Sequence, residues 1–174
     1  KDVVRELNHL NMVVDVSHLC KPSVMDTVAI STAPVLANHT NAKTITDSPR
    51  NKSDEELLAI ASTDGVIGIT PIKWMISRSA DGEAGIDDFI AHLDYIVDLV
   101  GIDHVGIASD SSLNGWWKSS RHYAGEDMAA VDRWKRVAAK LIEINDAQGS
   151  RKYSDLDLQK LLGLNFLRIF KQVL

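Results

Sequence analysis

Hydrophobic positions along this chain fall into two alternating patterns. The runs Met12-Val13-Val14, Pro34-Val35-Leu36-Ala37, Gly65-Val66-Ile67-Gly68-Ile69 and Val105-Gly106-Ile107-Ala108 are short, unbroken and rich in β-branched residues. That is the pattern of strands buried on both faces. Between them, apolar residues recur every three or four positions, as on one face of a helix.

The punctuation supports this division. Val3, Val4, Leu7 and Leu10 share a helical face, and Asn11 suits a left-handed stop. Pro22 fits the first turn of a helix running to about Ile30. Ser53-Asp54-Glu55-Glu56 reads as a capping box ahead of Leu57, Leu58, Ile60 and Ala61. A helix over residues 86–100 stops at Gly101, and another is expected over residues 128–146. Ser154-Asp155-Leu156-Asp157 opens a closing helical segment, bent near Gly163. The segments 40–52, 72–85 and 111–127 read as loops.

These are four strand–helix units. Parallel strands with crossover helices bring all carboxyl ends to one face. A full eight-unit barrel needs about 250 residues, so four units make about half of one. The expected fold is therefore α/β, half of a TIM-type (β/α)8 barrel, with residues 1–174 as a single domain. A flavodoxin-like open sheet is the competing architecture, but no Gly-rich phosphate loop follows the first strand.

Composition narrows the function classes. The 174 residues are 45% hydrophobic and 25% charged, ordinary values for a globular chain. A net charge of −5 without a basic stripe argues against nucleic acid. No apolar run approaches the roughly 18 residues of a bilayer span. The single cysteine, Cys20, rules out an internal disulfide framework and reads as a small buried apolar residue rather than a metal ligand. The chain opens directly into an amphipathic helix without an initiator Met, as a piece of something longer does.

Three strands lead to residues that bind metals or move protons: His18, His39 and Asp110. Two imidazoles and a carboxylate meeting on the face where barrels do their chemistry point to a metal-dependent hydrolase. Asp110 suits a ligand, a general base or a helix cap. Arg50, after Pro49, suits bidentate capture of a carboxylate, or plain solvent exposure. Trp116, Trp117 and His122 sit in the long loop after Asp110; the tryptophans suit a pocket wall or a cover for the core edge. His9, His92 and His104 lie in helices or at a strand start. No Gly-x-Ser-x-Gly elbow or Cys-x-x-Cys pair is present.

Several segments together resemble the membrane (renal) dipeptidase family of the amidohydrolase superfamily. They are Val3-Val4-Arg5-Glu6-Leu7-Asn8, Val14-Asp15-Val16-Ser17-His18, Pro34 through Ala42, Pro49-Arg50-Asn51, Gly101 through Asp110, and Leu162 through Phe170. They run in order through the whole chain and match the family's C-terminal half. The resemblance implies a barrel with a two-metal, usually dizinc, site that cleaves dipeptides by a metal-bridging hydroxide. His18 and His39 would be ligands of the second zinc, Arg50 would grip the substrate's terminal carboxylate, and Asp110 would be the acid/base carboxylate. The family's first-strand His-x-Asp motif and its bridging glutamate are absent, so at most one partial zinc site is expected here. Ser111-Ser112-Leu113-Asn114-Gly115 departs from the family's aromatic, second Asp and Gly after Asp110, and Asn38 replaces the more usual serine before His39.

The expected function is zinc-dependent dipeptide hydrolysis, with this chain inactive alone. The alternatives are another amidohydrolase-type enzyme, such as a lactonase or phosphotriesterase-like protein, and a non-catalytic half-barrel that serves assembly. A half-barrel should leave two strand edges unpaired and inner faces bare, so pairing with a second copy or with an N-terminal half is expected.

Overall fold

The computed structural model describes residues 1–111, 123–129 and 132–174, apart from the side chains of residues 126 and 127. Four strands form one parallel sheet: β1 (Val14–Asp15), β2 (Val35–Thr40), β3 (Val66–Ile69) and β4 (Val105–Ile107). Their order in the sheet is their order in the chain. A doubly wound sheet reverses strand order at a switch point. A barrel does not, and neither does this sheet, which settles the competition between architectures in favour of the barrel type.

The crossovers are α2 (Lys21–Ile30), α3 (Asp54–Ser62) and α5 (Ile86–Val100), preceded in the chain by α1 (Asp2–His9). Local chemistry sets their ends where expected. Asn11 adopts φ 54° after α1. Pro22 sits in the first turn of α2. The Ser53 amide donates to Glu56 Oε2 at 2.9 Å, completing the capping box of α3. Gly101 ends α5 at φ 88°. Ser154 caps α8 (Asp155–Gln159), which continues through a π-helical turn at Lys160–Leu164 into α9 (Asn165–Val173). Gly163 (φ 158°, ψ −19°) makes the bend there, a conformation open to glycine.

Both faces of the sheet are covered. Val35, Ala37, Ile67, Ile69 and Val105 pack with Val24, Leu57, Ile60, Phe89, Leu93 and Ile96 of the crossover helices. Leu36 and Val66 pack with Ile169 and Val173 of α9. Asn165 Nδ2 donates to the carbonyls of Ile102 and Val105, both at 2.7 Å, and so seats α9 against β4. A Cβ at Gly106 would lie 2.3 Å from the Phe166 ring, so glycine lets that ring reach the sheet.

Several expectations are corrected. Val14, Val66, Ile67 and Val105 are buried within the chain; α9 covers Val66 on the face expected to be bare, while Ile67 and Val105 pack with the crossover helices. The apolar face of α1 is largely exposed, with Val3 and Leu10 in solvent, while α2 and β1 pack beside the helix. A short helix, α4 (Lys73–Ile76), interrupts the loop after β3. The long helix expected over 128–146 is α6 (Gly125–Ala129) and α7 (Arg133–Glu143). Cys20 is exposed, because it precedes the first turn of α2, with Sγ 3.4 Å from Ser23 Oγ.

Candidate active site

The site forms where the sheet ends. The β1–β2 ladder ends at Asp15↔Leu36, followed by one more bond from the Val16 amide to the Leu36 carbonyl (2.8 Å). His18 therefore lies in the turn past β1 and not on the strand. His39 is inside β2, at a register shift between Ala37 and Thr40. Irregularities of this kind re-aim side chains beside functional sites. Asp110 lies three residues past β4 in a left-handed conformation, φ 49°.

The structure brings four sequence-selected residues together. His18 Nε2 and His39 Nε2 are 3.0 Å apart, with the rings edge-on at 70°. Arg50 Nη2 lies 3.1 Å from the same nitrogen of His39. Asp110 Oδ2 is 3.9 Å from it. A guanidinium only donates, so His39 Nε2 is an acceptor and its proton sits on Nδ1. Nδ1 faces Asn38 Oδ1, which accepts that proton. Burial pushes His39 below the ordinary imidazole value; Asp110 opposes, while His18 and Arg50 act with burial. The neutral ring with its proton on Nδ1 keeps a lone pair on Nε2, and neutral imidazole is the form that binds metals.

Arg50 is carried by a loop folded back along the end of β2. Thr40 Oγ1 donates to the Arg50 carbonyl (3.0 Å), and Asn51 Nδ2 donates to the carbonyls of Thr46 and Met75 (2.9 and 2.7 Å). Arg50 Nε is buried with no partner, and among the described residues no carboxylate pairs with this guanidinium. A cation held in place with an unspent donor is equipped for an incoming carboxylate.

Two nitrogens bound to one tetrahedral zinc at about 2.0–2.1 Å stand roughly 3.3 Å apart. The 3.0 Å His18–His39 separation is close to that, and the donor set of two imidazoles suits zinc. As a metal site the pair would be incomplete: among the described residues no group of three or more His, Cys, Asp or Glu side chains gathers to hold an ion.

Other residues of this end went unrecognised in the sequence. Lys52 Nζ donates to the carbonyl of Leu19, the residue after His18, at 2.6 Å, and pairs with Glu56 at 3.7 Å in a buried setting. His92 accepts from the Ala42 amide at Nδ1 (3.1 Å) and meets Thr46 Oγ1 through Nε2 (3.1 Å), bracing the Arg50 loop from α5. His104 is structural, with Nδ1 donating to the Gly65 carbonyl at 2.9 Å. Trp116, Trp117 and His122 lie outside the described residues.

A parallel sheet in sequential strand order, with imidazoles, a guanidinium and a carboxylate gathered past its carboxyl ends, has the layout of the barrel enzymes. Within that class, the model of the membrane dipeptidase family (peptidase family M19) matches residues 1–174, and the chain belongs to that family. The chain is 30% identical over 174 residues to an uncharacterized protein in the pqqA 5′ region of Klebsiella pneumoniae, spanning 99% of this chain and 59% of the relative. It is 32% identical to dipeptidase ataJ of Aspergillus terreus, over 92% of this chain and 36% of the relative. Among solved structures it resembles a metallo peptidase from Rhodobacter sphaeroides liganded with a phosphinate mimic of the dipeptide L-Ala-D-Ala. The TM-score is 0.83 at 26% identity, covering 99% of this chain and 46% of that one. Dipeptidase AC, a metallo peptidase of family M19, gives 0.82 at 27% identity, covering 99% and 47%. The chain thus spans between about a third and three fifths of the relatives named here.

Proposed function

We propose that residues 1–174 form one domain, the C-terminal half of a zinc-dependent dipeptidase barrel, and that the complete site takes further ligands from outside these residues. The observation that carries this is the convergence of His18, Arg50 and Asp110 on one nitrogen of His39, within 3.0–3.9 Å. His18 and His39 hold the metal. When bound, zinc supplies Lewis-acid polarisation of the amide carbonyl and acidifies a coordinated water.

The chain's own residues do the rest. Arg50 takes the dipeptide's terminal carboxylate through its free donors and so fixes the scissile amide over the histidine pair. Asp110, half-exposed at the rim, accepts a proton from the attacking water and delivers it to the leaving amine. An ester or lactone without a free carboxylate has no use for Arg50, which weighs against a lactonase or phosphotriesterase-like substrate. Membership of a peptidase family weighs against a purely structural half-barrel. Any pairing with a second copy or with an N-terminal half would use the two sheet edges, β1 and β4.

Two measurements test this. Zinc titrated into this chain should bind, and His18→Ala or His39→Ala should each abolish saturable binding. In the complete barrel containing this chain, Arg50→Ala should raise KM for a dipeptide by roughly 10- to 100-fold, the worth of a charge-assisted pair. It should leave the corresponding dipeptide amide unaffected. An equal loss on both substrates would remove Arg50 from carboxylate recognition.

A further inference from the structure

Past the last backbone bond between β1 and β2, side chains take over the ladder. The Asn38 amide donates to Asp15 Oδ1 at 3.1 Å, and the His39 amide donates to Ser17 Oγ at 3.2 Å. The same Asp15 oxygen also accepts from the Ser17 amide (3.0 Å) and hydroxyl (2.6 Å). Ser17 Oγ shares its proton with Asn38 Oδ1 at 3.0 Å, and Asn38 Oδ1 receives the Nδ1 proton of His39. One carboxylate, one hydroxyl and one amide thus form a continuous chain that ends on the non-ligating nitrogen of His39.

We propose that Asp15, Ser17 and Asn38 are positioning residues that fix the ring orientation and the Nδ1–H tautomer of His39, a role that rests on the reading of His39 as a metal ligand.

Three features support the assignment. The orientation of the Asn38 amide follows from its neighbours: Arg50 makes His39 Nε2 the acceptor, so Nδ1 must face an oxygen. Ser17 is buried at 2% exposure, so its hydroxyl has no water to replace these partners. The network also joins the two histidines mechanically, because Ser17 immediately precedes His18 and bonds the His39 backbone. Partners at the far nitrogen of a ligand histidine typically contribute 10- to 100-fold in metal affinity.

The test combines two readouts. Long-range proton–nitrogen spectra of the metal-free chain, labelled with 15N-histidine, should show His39 as the Nδ1–H tautomer. Asn38→Leu should shift it toward Nε2–H, and Asn38→Asp, which keeps the acceptor, should restore it. Competition for Zn²⁺ against a chromophoric chelator should show affinity falling roughly 10- to 100-fold in Asn38→Leu and in Ser17→Ala. Asp15→Asn, which keeps shape and acceptor but loses charge, should fall less. Asn38 is exposed, so its variants keep the fold. A wild-type Nε2–H tautomer, or an Asn38→Leu protein with unchanged tautomer and affinity, overturns the positioning role. A tautomer that shifts as expected in a wild-type chain that never binds Zn²⁺ overturns instead the ligand reading of His39, and the positioning of a metal ligand with it.

Discussion

Lys52→Met is the most informative perturbation of the architecture beneath the site. Lys52 and Glu56 side chains are 4% and 5% exposed, with Nζ and Oε1 3.7 Å apart. Methionine keeps most of the aliphatic stem and removes the ammonium, so packing is little disturbed and the polar contacts are lost. One is the charged bond to the Leu19 carbonyl, worth about 1.5–3 kcal/mol. The other is the ion pair with Glu56. Breaking a buried pair from one side costs about 3–5 kcal/mol in total. Glu56 keeps the Ser53 amide and hydroxyl, both at 2.9 Å, which places the expected loss near the lower end, about 3 kcal/mol. With a urea slope of about 2 kcal/mol/M, the unfolding midpoint should drop by roughly 1.5 M. Adding Glu56→Gln removes the stranded charge and should recover about half of the loss. Zinc affinity should fall as well, because the Leu19 carbonyl anchors the turn that presents His18. A Lys52→Met loss below about 1 kcal/mol, or no recovery in the double variant, would show the pair to be hydrated and its burial irrelevant.

His92 should give the fold a pH dependence of its own. Desolvation pushes its pKa to about 4, below the ordinary value of about 6.5, so the unfolded chain binds more protons between those pH values. This contribution is intact above about pH 6.5 and is lost as pH falls through 4, up to about 3 kcal/mol; urea melts at pH 7, 5 and 4 should show it, and His92→Gln should flatten that part of the profile. Gly68→Ala should destabilise by about 1–3 kcal/mol and weaken zinc binding, since the new Cβ would meet the Asn38 carbonyl oxygen at 2.3 Å beside His39. Gly85→Ala, with nothing within 4 Å, is the control, and equal melting temperatures for the two variants would refute the steric argument.

What was legible in the sequence is what is decided locally. The capping box at Ser53, the Asn11 stop, Pro22 in the first turn of α2 and the bend at Gly163 each depend on residues within a few positions, and each is found. The strand cores were legible because burial on both faces leaves an unbroken apolar run. The coverage of the second face was not, because α9 reaches Leu36 and Val66 from more than 100 residues away. For the same reason His92 and Lys52 passed as a helical histidine and a loop lysine: their partners Ala42, Thr46 and Leu19 become neighbours only in the fold. Cys20 was misread because composition favours buried cysteine, while its position at a helix start dictates exposure.

The residues that end the sheet are the ones that build the site, and the physics of the sheet explains why. A parallel ladder satisfies each backbone amide through the neighbouring strand. Once β1 turns away, the amides of Asn38 and His39 lose that supply and must find other acceptors. Asp15 and Ser17 provide them, and Ser17 also reaches Asn38 Oδ1, so the groups recruited to terminate β1 are linked through Asn38 to the ring that β2 presents. A longer β1 would satisfy the same amides with backbone carbonyls, and Asn38 Oδ1 would then face His39 Nδ1 without the support of Ser17. It would also carry His18 along the sheet and away from the turn in which it meets His39 at 3.0 Å. The two-residue length of β1 is therefore part of the chemistry, since it is the early end of the strand that lets two imidazoles from adjacent units face each other.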